Sequence, residues 1–248
     1  MIWIGIAGFS VVLAAALLML GLGLARRKTP AAFRPILAFA RLRQAVGSVV
    51  EDGSRLHVSL GRGGLTTPQS AAELAGIGLL RRLADLTSAG DKPPIATSGD
   101  STIAILSQDT LRSSAETVTP GEAFDITTGR IAGLTPFSYA AGTLPVMSDE
   151  NVSATVLMGN FGVEAALLTD AAERKEMYVL AASDNLPAQA VMYATAQDVL
   201  LGEEIFSADA YNNGKPIHSA SLSTQDILRW VIIIGMIIGA MLKMAGVL

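Results

Sequence analysis

Two long apolar stretches frame the chain. Ile2 to Ala25 is 24 residues without a charge, and Trp230 to Leu248 is a further 19 interrupted only by Lys243. A helix rises about 1.5 Å per residue, so each stretch is long enough to cross a hydrocarbon core of roughly 30 Å, the first with some tilt. Lys243 lies near the end of its helix, where its amine can reach the headgroups. Trp3 and Trp230 stand at span ends, the place expected for an amphipathic indole. Both stretches therefore predict transmembrane helices, at 2–25 and 228–248.

Between them the pattern changes to short apolar runs, turns and amphipathic segments. Arg55 to Leu60 alternates as a strand does, and Gly61-Arg62-Gly63-Gly64 turns the chain. Thr67-Pro68 is the expected start of a helix reaching Thr87, closed by Ala89-Gly90-Asp91. The unit recurs three times. Pro94–Thr97 leads through Ser98-Gly99-Asp100 into a helix from Ser101 to Ala115. Ala154–Met158 leads through Gly159-Asn160 into one from Gly162 to Arg174. Met177–Ala182 leads through Ser183-Asp184-Asn185 into one from Pro187 to Gln197. Strand–turn–helix units with short turns imply parallel strands joined by helical crossovers, an α/β layer fold. Thr117 to Glu150 reads as an insertion, with Phe137–Val146 an irregular strand or hairpin. Asp198 to Tyr211 reads as a further helix broken near Gly202. The expected divisions are a basic segment at 26–50, an α/β domain at 51–211 and a linker at 212–227.

Charge sharpens this division. Residues 26–50 hold six basic and no acidic side chains; Glu51 to Asp226 holds 22 acidic and 10 basic, a net of −12 hidden within a total of −4. Arg26, Arg27 and Lys28 directly follow the first stretch, and cations resist translocation. With Arg229 before the second stretch, they predict a cytoplasmic domain with both termini outside. A cleaved signal peptide would carry its charge before a shorter apolar run. The basic segment can lie on anionic lipid through Arg34, Arg41 and Arg43, or form a core helix whose arginines face water. The acidic body excludes nucleic acid as an expected partner. Apolar residues reach 50% and cysteine is missing, so disulfides and thiolate metal sites are excluded. With only His57 and His218, no metal and no cofactor is expected.

Candidate chemistry is sparse. Gly61, Arg62, Gly63 and Gly64 follow a strand and precede a helix, where backbone amides can cradle an anion or merely turn. The spacing is neither Gly-x-Gly-x-x-Gly nor a P-loop. Ser98, Asp100, Asn160, Ser183 and Asp184 follow strands too, the usual edge for ligands in parallel sheets. The same residue types are also the preferred helix caps. No Gly-x-Ser-x-Gly elbow accompanies either histidine, and the pairs Asp149-Glu150 and Glu203-Glu204 read as solvated caps, so no catalytic residue is assigned. Gly235 and Gly239, continued by Ala240 and Gly246, form a Gly-x-x-x-Gly face suited to close helix association, either with the first span or between copies.

Gly202-Glu-Glu-Ile-Phe-Ser-Ala-Asp-Ala-Tyr211, with Ser221-Leu-Ser-Thr-Gln-Asp-Ile-Leu-Arg229-Trp230 entering the second span, resembles a bacterial membrane family known as a domain of unknown function. The two-span layout and middle α/β stretch are similar to that family as well. The resemblance implies a bacterial inner (cytoplasmic) membrane location and no activity or catalytic residue. Two functions then compete. One is a membrane-anchored assembly or scaffold protein whose domain self-associates or docks another membrane protein. The other is a membrane-tethered ligand-binding or enzymatic α/β domain, favoured by the fold class alone.

Overall fold

The computed structural model describes residues 2–25, 34–68, 70–87, 90, 92–118, 120–121, 123–213 and 216–245. Arg26, Arg27, Lys28, Ala89, Asp91 and Gly246, which carry expectations above, lie outside the described residues. So does the side chain of Trp3. The chain divides into two compact units, one of Pro35–Asn212 and one of Met1–Arg34 with Asn213–Leu248.

The terminal unit holds α1 (Ile2–Ala25) and α9 (Pro216–Met244). Each contains a helical stretch long and apolar enough to cross a membrane. The segment expected as a linker is therefore helical from Pro216, continuous with the span it enters. Proline suits the start of a helix, where its missing N–H would go unused. Less exposed positions on α1 are Ala15, Leu18, Met19, Leu22 and Gly23, a stripe at helical spacing. Gly23 is buried, and a Cβ there would lie 3.3 Å from Ile217 and 3.8 Å from Ala220 of α9.

The larger unit runs α2 (Leu37–Glu51), β1 (Arg55–Gly61), α3 (Ser70–Thr87), β2 (Ile95–Ser98), α4 (Ser101–Val118), β3 (Gly129–Ile131), α5 (Pro136–Asp149), β4 (Val152–Asn160), α6 (Ala165–Arg174), β5 (Tyr178–Ser183), α7 (Leu186–Thr195), β6 (Asp198–Leu200) and α8 (Ala208–Asn213). Six strands form one parallel sheet in the order β3-β2-β1-β4-β5-β6. Period-two alternation divides its side chains between two layers. Leu56, Val58, Leu60, Val156, Met158 and Leu180 pack with α2, α3 and α4. Leu157, Val179 and Ala181 pack with α5, α6 and α7. This is a doubly wound α/β fold, as the repeated strand–turn–helix units predict. Covered on both faces, β4 is buried nearly throughout.

Several short helix-to-strand turns share one device. After α2, α5 and α6 the chain passes through Gly53, Asn151 and Glu176 in the left-handed region, at φ of 61°, 57° and 54°. A single such residue ends the helix and redirects the chain within two or three residues.

Local differences from expectation have physical reasons. Phe137–Val146 is not a hairpin but the body of α5. Thr135 and Ser138 form a reciprocal cap with Pro136 at the first helical position, and Pro145 falls late in the helix. Tyr139, Thr143 and Met147 make its buried face. Asp198–Leu200 is a short edge strand rather than helix, paired with Leu180–Ala182. α3 begins at Ser70, since the Thr67 hydroxyl is occupied with the Gly64 carbonyl at 2.8 Å. α2 buries Phe39, Leu42, Val46 and Val49, so this part of the basic segment is a core helix.

Candidate functional site

The strand order reverses between β1 and β4. From β1 the chain proceeds outward to β2 and β3, then returns to β4 and leaves the other way. The loops after β1 and β4 consequently diverge, and a crevice opens at their carboxyl ends, the place where doubly wound sheets hold ligands. Gly61 and Asn160 are register partners there. Gly61 has φ +73°, and a Cβ on it would sit 2.5 Å from the Asn160 carbonyl oxygen, so the end of β1 requires glycine.

The expected loop residues meet at this edge. Gly99 N–H donates to the Gly61 carbonyl at 2.8 Å, joining the loops after β1 and β2. Asn160 Nδ2 donates to Asp184 Oδ1 at 2.7 Å, joining those after β4 and β5. Several of their polar atoms are engaged within the fold. Asp100 Oδ1 accepts from Thr102 N and Ile103 N, capping α4. Ser98 Oγ donates to the Asp100 carbonyl. Ser183 Oγ accepts from Phe161 N and Asn185 N. Arg62 Nε donates to Glu164 Oε1 at 2.9 Å, an oxygen that also accepts from Gly162 N. Glu164 is 2% exposed, and Arg62 supplies the countercharge that makes such burial tolerable.

Glu73, which sequence reasoning passed over, occupies the centre. It lies in the first turn of α3, fully buried, and its Oε1 accepts from Gly63 N at 2.8 Å and Asn160 N at 2.9 Å. Those amides belong to the β1 loop and the last residue of β4. Burial raises its carboxyl from 4.5 to about 7 against the pull of these hydrogen bonds, with Asp184 adding a smaller push upward. Among the described residues Oε2 has no hydrogen-bond partner. One signal for this site was present in the sequence. Glu73 falls on the stripe of Gly76, Ile77, Leu80 and Leu83, where an apolar residue is expected.

Beneath the crevice, on the α5 face, lies a buried polar row. Tyr139 OH receives the Gly61 N–H at 3.2 Å and lies 2.6 Å from Ser59 Oγ. His57 spans Thr155 Oγ1 at 2.8 Å and Thr97 Oγ1 at 2.9 Å. Its complete burial, aided by the positive charge of Arg130, lowers it from 6.5 to about 3, so the ring is neutral. Both nitrogens are occupied by hydroxyls, which makes His57 a cross-strand tie at neutral pH.

The remaining candidates lie elsewhere. Arg41 Nη1 donates to Asp198 Oδ1 at 2.8 Å, while Tyr178 OH donates to Asp198 Oδ2 at 3.0 Å, fixing α2 to the β6 edge. Burial and the nearby Asp198 charge raise the Tyr178 hydroxyl far above its usual range. Arg34 and Arg43 are exposed. Gly235 and Gly239 lie on α9, where a Cβ would meet nothing within 4 Å. Among the described residues no cluster of three or more His, Asp or Glu could hold a metal.

No curated protein and no solved structure matches the chain. The family described as Domain of unknown function (DUF6754) matches residues 4–248, nearly the full length that carries both apolar helices and the doubly wound sheet, and the chain belongs to that family.

Proposed function

We propose that this chain is a membrane-anchored assembly protein. Its two terminal helices hold the α/β unit on the cytoplasmic side of a bacterial inner membrane, and α9 joins copies through Gly235 and Gly239. One observation carries the reading: α1 meets α9 at Gly23, Ile217 and Ala220, while among the described residues, the backbone of α9 itself aside, nothing lies within 4 Å of a Cβ built on Gly235 or Gly239. Small residues one turn apart let backbones approach closely and gain dispersion energy that lipid cannot supply around a bulky side chain. Tethering raises the local concentration of each α/β unit, so weak contacts between units, or with another membrane protein, become effective. The variant Gly235→Ile with Gly239→Ile is expected to split the detergent-solubilised particle while leaving the α/β unit folded. An unchanged particle size would remove α9 as the joining surface.

A membrane-tethered ligand-binding or enzymatic domain is the second reading, favoured by the strand-order reversal and its crevice. In either case Arg26, Arg27 and Lys28 argue for a cytoplasmic α/β unit. Arg34, Arg41 and Arg43 are proposed to contact anionic lipid, Arg41 while also holding Asp198. Protease added to intact cells should leave residues 35–212 uncut. Cleavage there from outside would reverse the orientation.

A further inference from the structure

We propose that the Gly63 and Asn160 amides form an oxyanion site whose resident occupant is the chain's own Glu73 carboxylate, which closes the crevice to a phosphate-bearing ligand. This inference is independent of the assembly reading, because it rests on the strand ends alone. Two N–H groups, one from the loop after β1 and one from the end of β4, converge on a single oxygen, Glu73 Oε1, at 2.8 and 2.9 Å. Converging amides at the carboxyl edge of a parallel sheet are the arrangement that receives a ligand's phosphate oxygens. Here the anion comes from the first turn of the helix that follows β1.

The fit is close. A Cβ on Gly63 would overlap the Glu73 carboxylate, and one on Gly76, a turn later, would lie 2.6 Å from the Met158 carbonyl oxygen. Glycine at both positions lets the loop and α3 descend onto the strand ends until the carboxylate reaches the amides. The second observation is Glu73 Oε2, buried without a hydrogen-bond partner among the described residues. A carboxylate held this way costs desolvation that an apolar residue on the same stripe would avoid. What it supplies in return is an acceptor for two amides that burial would leave unpaired. The surroundings reinforce the closure. Asp100 and Asp184 border the loop and β4 end, while Arg62, the nearby cation, is already paired with Glu164. An incoming phosphate would meet the carboxyl groups of Glu73, Asp100 and Asp184 around these amides.

The test uses the full chain in detergent with inorganic pyrophosphate as probe, followed by calorimetry and by the phosphorus resonance. Wild type is expected to show no saturable binding at millimolar pyrophosphate. Glu73→Ala, which vacates the amides, should gain affinity by about tenfold or more. Binding to wild type as strong as to Glu73→Ala would overturn the closure. A folded Glu73→Ala that binds nothing would overturn the oxyanion site. Should that variant not fold, wild type decides: the Gly63 and Asn160 amide resonances should shift along one titration curve with the Glu73 carboxyl carbon. Amides that stay fixed while Glu73 titrates would show that the contact does not exist.

Discussion

Glu73→Gln is expected to stabilise the α/β unit by on the order of 2 kcal/mol above neutral pH, and to destabilise it by on the order of 1 kcal/mol near pH 4.5. In the folded chain burial holds this carboxyl at about 7, against 4.5 for an exposed glutamate. The folded state therefore keeps a proton that the unfolded state releases. Its contribution is fully present below pH 4.5 and is lost as pH rises towards 7. Gln keeps an Oε1 for the Gly63 and Asn160 amides and never ionises. Part of the gain is offset because its amide nitrogen replaces the unpartnered Oε2 and finds no acceptor either. Urea unfolding of both chains across this range measures the difference directly. Equal stabilities at high and low pH would mean that Glu73 is exposed or differently paired.

The opposite slope is expected from His57. The buried neutral ring is held at about 3, against 6.5 when exposed, so its contribution is present above pH 6.5 and lost as pH falls towards 3. By about pH 4 the loss is on the order of 3 kcal/mol. His57→Gln offers a donor and an acceptor to the Thr97 and Thr155 hydroxyls without titrating. It should be less stable than wild type at neutral pH, because the amide spans the hydroxyls less well. That deficit should shrink steadily on acidification and reverse. A constant deficit from pH 7 to about 4 would show that His57 is not buried neutral. In wild type the two groups nearly cancel between 4.5 and 6.5, so each variant exposes a slope that the parent conceals.

The chain's organisation was legible where periodicity is strong. Two long apolar runs and four strand–turn–helix units lead directly to the terminal helices and the parallel sheet. What escaped was short or locally ambiguous. β3 and β6 have three residues each, too few for alternation to register. α5 was obscured by Pro145 and by Gly, Thr and Ser, which suggest turns until the Thr135 cap is considered. The crevice was half legible. Strand ends marked Gly61–Gly64, Ser98, Asp100, Ser183 and Asp184, but sequence order does not reveal that β1 and β4 are neighbours. Only that adjacency brings the Gly63 and Asn160 amides onto one oxygen. Glu73 itself looks like any helical acid unless its phase on the apolar stripe is followed.

The mass of the wild-type particle in mild detergent, measured by light scattering with the detergent contribution subtracted, tests the assembly account most directly. The account predicts a discrete multiple of the 25.8 kDa chain that collapses towards the single-chain mass when Gly235 and Gly239 are both replaced by isoleucine. A wild-type particle of one chain, across the concentrations reached in a membrane, would contradict it.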